Sequence, residues 1–171
     1  IGFFVNTLVL RGDLSGNPSF VELLRRVREA ALGAYAHQDV PFEMVVDAVQ
    51  PQRNTSHSPL FQVMFVLQNN PLRVQDMEGL TLEPVAADAG IAQFDLTLLM
   101  QEQGPHLSGE LQYNTDLYDR ERIERMAAHF QTLLAGIVAD SAQPVATLPL
   151  LTDAERTQIV DTWNDTAAEF P

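Results

Sequence analysis

The chain has 171 residues, enough for a domain with its own core, carries a net charge of −13 and is 46% hydrophobic. It contains no cysteine, which excludes a disulfide framework, a thiolate metal site and a cysteine nucleophile. All ten cationic side chains are arginines scattered along the chain, which excludes a lysine nucleophile or Schiff base and leaves no clustered basic surface for nucleic acid.

In chain order, Phe3 to Leu10 predicts a strand, apolar on both faces apart from Asn6 and Thr7 and therefore central. Gly12 to Gly16 is a turn. Asn17 is the expected N-cap of the helix that follows, with Pro18 at its first position. Phe20, Leu23, Leu24, Val27, Ala30, Ala31 and Ala34 recur at helical steps and predict one buried stripe. Asp39-Val40-Pro41 ends that helix, because the residue before a proline is pushed out of the α region. A short helix, Phe42 to Val49, follows.

The polar stretch "RNTSHSP" is a loop, and Leu60 to Leu67 predicts a strong strand, broken at Asn69-Asn70-Pro71. Residues 71 to 92 are irregular and acidic, with one weak strand at Leu80 to Glu83. Phe94 to Met100 and Leu107 to Tyr113 flank Gly104-Pro105 as an antiparallel hairpin. Asp119 caps a long helix reaching Ala139, with Ile123, Met126, Ala127, Phe130, Leu134, Ile137 and Val138 on its inner face. A proline-bearing linker, Ser141 to Leu151, leads to Thr152-Asp153-Ala154-Glu155, a capping box for a last helix ending near Trp163. This order predicts an α/β domain with a mixed sheet packed by helices.

Generic catalytic signatures are absent: no phosphate loop, no GxGxxG, no G-x-S-x-G and no H-E-x-x-H. The four histidines, His37, His57, His106 and His129, never fall at helical spacing from one another, so no metal is expected. His129 reads as a surface or boundary histidine. His37 sits at a helix end, where it can meet the terminal carbonyls; Asp39 beside it could instead orient it as a base, although no nucleophile is in sight. No apolar run approaches the ~20 residues needed to cross a bilayer and no leader is visible, so a cytoplasmic protein without a membrane partner is expected.

Three stretches, "IGFFVNTLVLR" (1–11), "HQDVPFE" (37–43) and "RNTSHSPLFQVMFVLQN" (53–69), occur in an order and spacing that resemble the C-terminal motifs of condensation domains of nonribosomal peptide synthetases. "FDLTL" (94–98) and "LQYNTDLYD" (111–119) resemble the later part of that domain, and the tail from Leu148 resembles the linker toward an adenylation domain. The resemblance implies residues 1–140 as the C-terminal lobe and 141–171 as the linker. It also implies a chloramphenicol-acetyltransferase-like lobe with a mixed, largely antiparallel sheet.

Such domains pair two lobes around a tunnel entered by the phosphopantetheine arms of carrier proteins. The implied partners are the N-terminal lobe, upstream and downstream peptidyl carrier proteins and an adjacent adenylation domain; no cofactor is bound directly, the arms being substrates. The family's amide-forming chemistry centres on an HHxxxDG motif in the N-terminal lobe. This sequence has no adjacent histidine pair, so it is expected to hold no catalytic residue and to be silent alone. An abrupt start inside an apolar strand fits a chain cut just after the lobe junction.

The resemblance singles out Asn6, Thr7, Gln62 and Met64 as substrate-binding candidates. A buried Asn6 needs hydrogen-bond partners: it braces the lobes or lines the tunnel, or it satisfies neighbouring backbone only. Gln62 and Met64 share one face of their strand and Val63 and Phe65 the other; which face meets the tunnel stays open. Gly2, Arg11, His37, Gln38, Asp39, Pro41, Phe42, Arg53, Ser56 and Pro59 are motif residues with structural roles. Arg53, Ser56 and Pro59 match the family pattern R-x-x-S-x-x-P-L-F-Q, and Arg11 either pairs across the lobe interface or is a solvated surface residue. Residues 70–92 resemble the segment that crosses to the other lobe and closes over the tunnel. Rival readings are an epimerisation or heterocyclisation lobe, or a non-catalytic module that docks carrier proteins. An unrelated CoA-dependent acyltransferase lacks a histidine pair here.

Overall fold

The fold is known from a computed structural model that describes residues 5–50, 58–68 and 90–167. It is mixed α/β, and the chain divides into two units, Ile1–Gln50 with Glu124–Pro171, and Pro51–Ile123.

In the first unit, residues 5–14 run without strand pairing, so the expected strand over Phe3 to Leu10 is absent from its described part; Phe3 and Phe4 lie outside it. Asn6 is exposed and Thr7 half-buried, not the buried pair the apolar run suggested. The segment is tied down by a side chain instead of a ladder: Asn6 Nδ2 donates to the carbonyls of Gln38 and Val40 at 2.7 and 2.8 Å.

Helix α1, Phe20–Tyr35, begins two residues later than expected. Ser19 is the N-cap, its hydroxyl accepting from Glu22 N–H at 3.3 Å. Asn17 and Pro18 are taken up by the chain after α3. Asn17, at φ 49°, accepts from Ala146 N–H at 3.0 Å through its side chain, and the carbonyl of the buried Pro18 accepts from Val145 N–H at 2.9 Å. Ser19 forms an antiparallel bridge with Pro144, and the Phe20 and Val21 N–H groups donate to Gln143 and Ser141 carbonyls at 3.3 and 3.2 Å. First-turn N–H groups have no partner inside a helix, and here the linker supplies it. The expected stripe of α1 is only partly covered, with Leu24 and Val27 exposed.

Helix α2, Phe42–Val49, has the expected bounds; Pro41 stands at its N-cap, and Gln50 closes it in the left-handed region at φ 48°. Helix α3, Arg120–Ala139, starts as expected, with the Asp119 carboxylate accepting from Arg122 N–H at 2.7 Å. Ile123 is buried, whereas Leu134 is 38% and Val138 87% exposed, so the expected inner face narrows toward the C-terminus. After a single 3-10 turn, Val145–Thr147, comes helix α4, Asp153–Thr157, with the capping box complete, and a π turn, Gln158–Thr162, ends it.

The second unit carries the sheet: β1 Val63–Gln68, β2 Leu96–Gln103 and β3 His106–Tyr113, in the order β1-β2-β3. β1 runs parallel to β2 in the register Val63↔Leu96, and β2 antiparallel to β3 in the register Leu96↔Tyr113. The hairpin turns at Gly104, whose φ of 62° suits glycine. Because partners in register share a face, Val63, Phe65 and Leu67 lie with Leu96, Leu98, Met100, Leu111 and Tyr113 on one apolar face. Met64 and Val66 lie on the other, with Thr97, Leu99 and Gln112. The weak strand at Leu80 to Glu83 and most of the irregular stretch 71–92 fall outside the described residues.

Candidate functional site

The motif residues gather around two places, one in each unit. The first is the α1–α2 corner. A helix end leaves its last carbonyls without intrahelical donors, and three groups meet that need here. His37 Nδ1 lies 2.9 Å from Gly33 O, His37 N–H donates to Ala34 O at 3.0 Å, and Val40 N–H donates to His37 O at 3.1 Å. Pro41 then forces extended backbone and its carbonyl accepts from Met44 N–H at 3.0 Å, opening α2. Two further carbonyls of the corner, those of Gln38 and Val40, converge on the Asn6 amide. Asn6 Oδ1 accepts from Thr7 N–H at 2.9 Å, so both amide hydrogens and the amide oxygen are engaged within residues 5–40. Among the described residues, nothing joins His37 to Asp39, so the ring sits as a helix-end group and no base–carboxylate pair forms. Arg11 is exposed.

The second place precedes β1. Phe61 N–H donates to Pro59 O at 2.9 Å across Leu60, which has φ 70°; a three-residue turn with positive φ is the strained kind. Gln62 is half-buried: its side chain donates to Ser58 O at 3.2 Å and its carbonyl accepts from Leu96 N–H at 3.4 Å. Phe61 packs on Phe94 with ring centroids 5.3 Å apart. This turn therefore aims the start of β1 at β2. Met64 is half-buried, while Val63, Phe65 and Leu67 on the opposite face are 60, 61 and 48% exposed. Gly2, Arg53 and Ser56 lie outside the described residues.

A third cluster escaped the sequence reading. His129 Nε2 lies 2.8 Å from Glu155 Oε1, joining α3 to α4. Glu155 Oε2 accepts from both Thr152 N–H and the Thr152 hydroxyl, at 2.9 and 2.8 Å. The Thr152 backbone and hydroxyl, and then His129, hold the Glu155 carboxyl down at about 2. The capping box was legible, but a partner 26 residues away leaves no local signal. On α1, Glu22 bridges Arg25 and Arg26, which lower its carboxyl to about 2. Arg26 also donates to the carbonyls of Asp13 and Ser15 at 3.2 and 3.0 Å, tying the turn to the helix. Among the described residues, no group of three or more His, Cys, Asp or Glu side chains is placed to hold a metal ion, and no helix is long and apolar enough to cross a membrane.

The family model for the condensation domain matches residues 1–160. One of the subunits of linear gramicidin synthase from Brevibacillus parabrevis is 50% identical over 172 residues, covering 99% of this chain and 3% of that protein. Among solved structures, a four-domain nonribosomal peptide synthetase bound to AMP and glycine superposes with a TM-score of 0.76 at 26% identity, over 90% of this chain and 13% of that one. The X-domain in its complex with OxyB from teicoplanin biosynthesis superposes at 0.70 and 27% identity, over 84% of this chain and 32% of that one. The chain thus spans a few per cent of the curated relative it matches.

Proposed function

This chain belongs to the condensation-domain family of nonribosomal peptide synthetases, and from that premise we propose that it is the C-terminal lobe of such a domain together with the start of the linker toward an adenylation domain. In the whole synthetase the lobe helps hold two substrates, each tethered to a carrier protein by a phosphopantetheine arm. The downstream aminoacyl amine attacks the carbonyl carbon of the upstream thioester; the C–N bond forms, the C–S bond breaks, and the amine proton leaves with the thiol. Holding the two ends in reach supplies much of the acceleration, since a positioned pair behaves as if at very high concentration. Thr7 and Met64 belong to the positioning surface, Asn6 and Gln62 support it through the backbone carbonyls they hold, and the cytoplasm is the compartment in which it works.

The observation that supports this reading is that a chain matching the family along residues 1–160 contains no adjacent histidine pair, which suits a lobe that does not itself carry HHxxxDG. The open apolar face of β1 supports it, because three large side chains left about half or more exposed suit a surface that is covered in a larger body. The test mixes the chain with loaded donor and acceptor carrier proteins and looks for the amide by mass spectrometry. No product is expected from the chain alone, and product is expected when the HHxxxDG lobe is fused ahead of it. Amide formed by the chain alone overturns the reading.

The complex of the X-domain with OxyB favours a second reading, in which a lobe of this fold serves as a docking module without turnover. Carrier-protein binding with no product in the fused protein would select it.

A further inference from the structure

Beyond its place in amide formation, the chain carries a contact that reads as a device. Helix α4 has only five residues, Asp153–Thr157, contributes no buried side chain and runs straight into a π turn, an uncommon and weak helical form. Ile159, Val160 and Trp163, which follow, are 40, 55 and 65% exposed. Apolar burial therefore does little to keep α4 in place. What holds it is polar and specific. Glu155 uses one carboxylate oxygen to cap α4 through Thr152 and the other to reach His129 on α3. One side chain thereby couples the folding of α4 to its docking. Both partners are about three-quarters shielded, at 24 and 23% side-chain exposure, so the contact is neither freely solvated nor locked in a core.

The segment leading to α4 is held separately. Its carbonyls at Ser141 and Gln143 accept from the first turn of α1, Val145 and Ala146 donate to Pro18 and Asn17, and Pro149 lies against Gly136 of α3. Two sets of contacts thus act in series, and among the described residues the polar contact of the outer one is the His129–Glu155 pair.

We propose that His129 and Glu155 form a releasable clasp: when it opens, α4 and the π turn undock and unwind together, while α1, α3 and residues 141–149 stay folded. Closed, the clasp fixes the register in which the chain leaves this unit after Trp163. Segments with few buried apolar contacts open at low cost and as cooperative pieces, which is the behaviour the geometry assigns to residues 153–162.

Amide hydrogen exchange on the full-length chain carrying these residues tests this, with peptides from 153–162 read against peptides from 20–35. His129→Leu is expected to speed exchange in 153–162 by roughly threefold to fivefold, the range of a part-exposed hydrogen bond, and to leave 20–35 unchanged. His129→Gln, whose amide can still donate to Glu155, is expected to restore most of the protection. Glu155→Ala also removes the two bonds that Thr152 donates to the carboxylate, so it is expected to exceed His129→Leu, and the double variant to be no faster than Glu155→Ala alone. Unchanged exchange in 153–162 for His129→Leu overturns the proposal. So does equal loosening of 20–35 and 153–162, or full additivity in the double variant.

Discussion

Asn6 shows how far one side chain can replace a strand. Its amide hydrogens go to the Gln38 and Val40 carbonyls, acceptors that the α1–α2 corner cannot satisfy by helical bonds. Asn6→Ala removes both donors, but at an exposed site water can take their place, so the loss sits near the low end of ordinary hydrogen bonds, about 0.5–1 kcal/mol. Asn6→Asp keeps the shape and turns a carboxylate oxygen toward a carbonyl, so it is expected to cost more than alanine. Urea midpoints rank the three proteins; an aspartate variant as stable as wild type would show that these bonds do not form. Charge acts at the same scale. Glu155 and Glu22 titrate in the fold at about 2, against an ordinary 4.5, because Thr152 and then His129 favour the first carboxylate, and Arg25 and Arg26 the second. A depressed folded value means that the unfolded chain binds the proton first as pH falls. The stability from each group is therefore complete above about 4.5 and lost as pH falls toward 2. Glu155→Gln is neutral throughout, so the gap between wild type and this variant is expected to close over that window in thermal melts.

Elements were legible where the signal is local. α2, the start of α3, the hairpin and the capping box of α4 follow from proline, glycine and cap residues within a few positions, and the structure places them there. The start of α1 was misplaced because Asn17 and Pro18, a sound local cap pair, are claimed by residues 145–146, some 130 positions away. The Gly136 position is a similar case. Glycine inside a helix costs about 1 kcal/mol relative to alanine, so sequence alone recommends Gly136→Ala. A Cβ there would stand 2.5 Å from Pro149 Cγ and 2.6 Å from Cδ, and a proline ring has no rotamer by which to withdraw. Overpacking costs about 1–3 kcal/mol, which outweighs the helical gain. Gly136→Ala is accordingly expected to lower the melting temperature and to open residues 141–151 to protease. A raised melting temperature with that segment still resistant would show that the close approach is not real.

For the whole chain, the sequence carried motif order but not the pairing of β1. A parallel pair needs a long crossover, here everything between Gln68 and Leu96, and nothing in an alternating strand says which neighbour it will take. The motifs likewise named Asn6 and Gln62 without telling whether they face a tunnel or their own backbone, because a hydrogen-bond partner is a property of the fold. What emerges at this scale is a conflict between charge and surface. A net charge of −13 pushes copies of the chain apart, while Val63, Phe65 and Leu67 leave an apolar strip open on one face of the sheet. Long-range repulsion fades as the screening length shrinks from about 10 Å at 0.1 M salt to about 3 Å at 1 M, and sulfate also strengthens apolar association. The 171-residue chain is therefore expected to self-associate more as ammonium sulfate is raised, read as a rising weight-average mass in light scattering at fixed protein concentration. Phe65→Ser, at a position already 61% exposed, is expected to blunt that rise while changing stability by little. A mass that falls with salt would mean that copies meet through opposite charges, and the apolar strip would then have no part in bringing chains together.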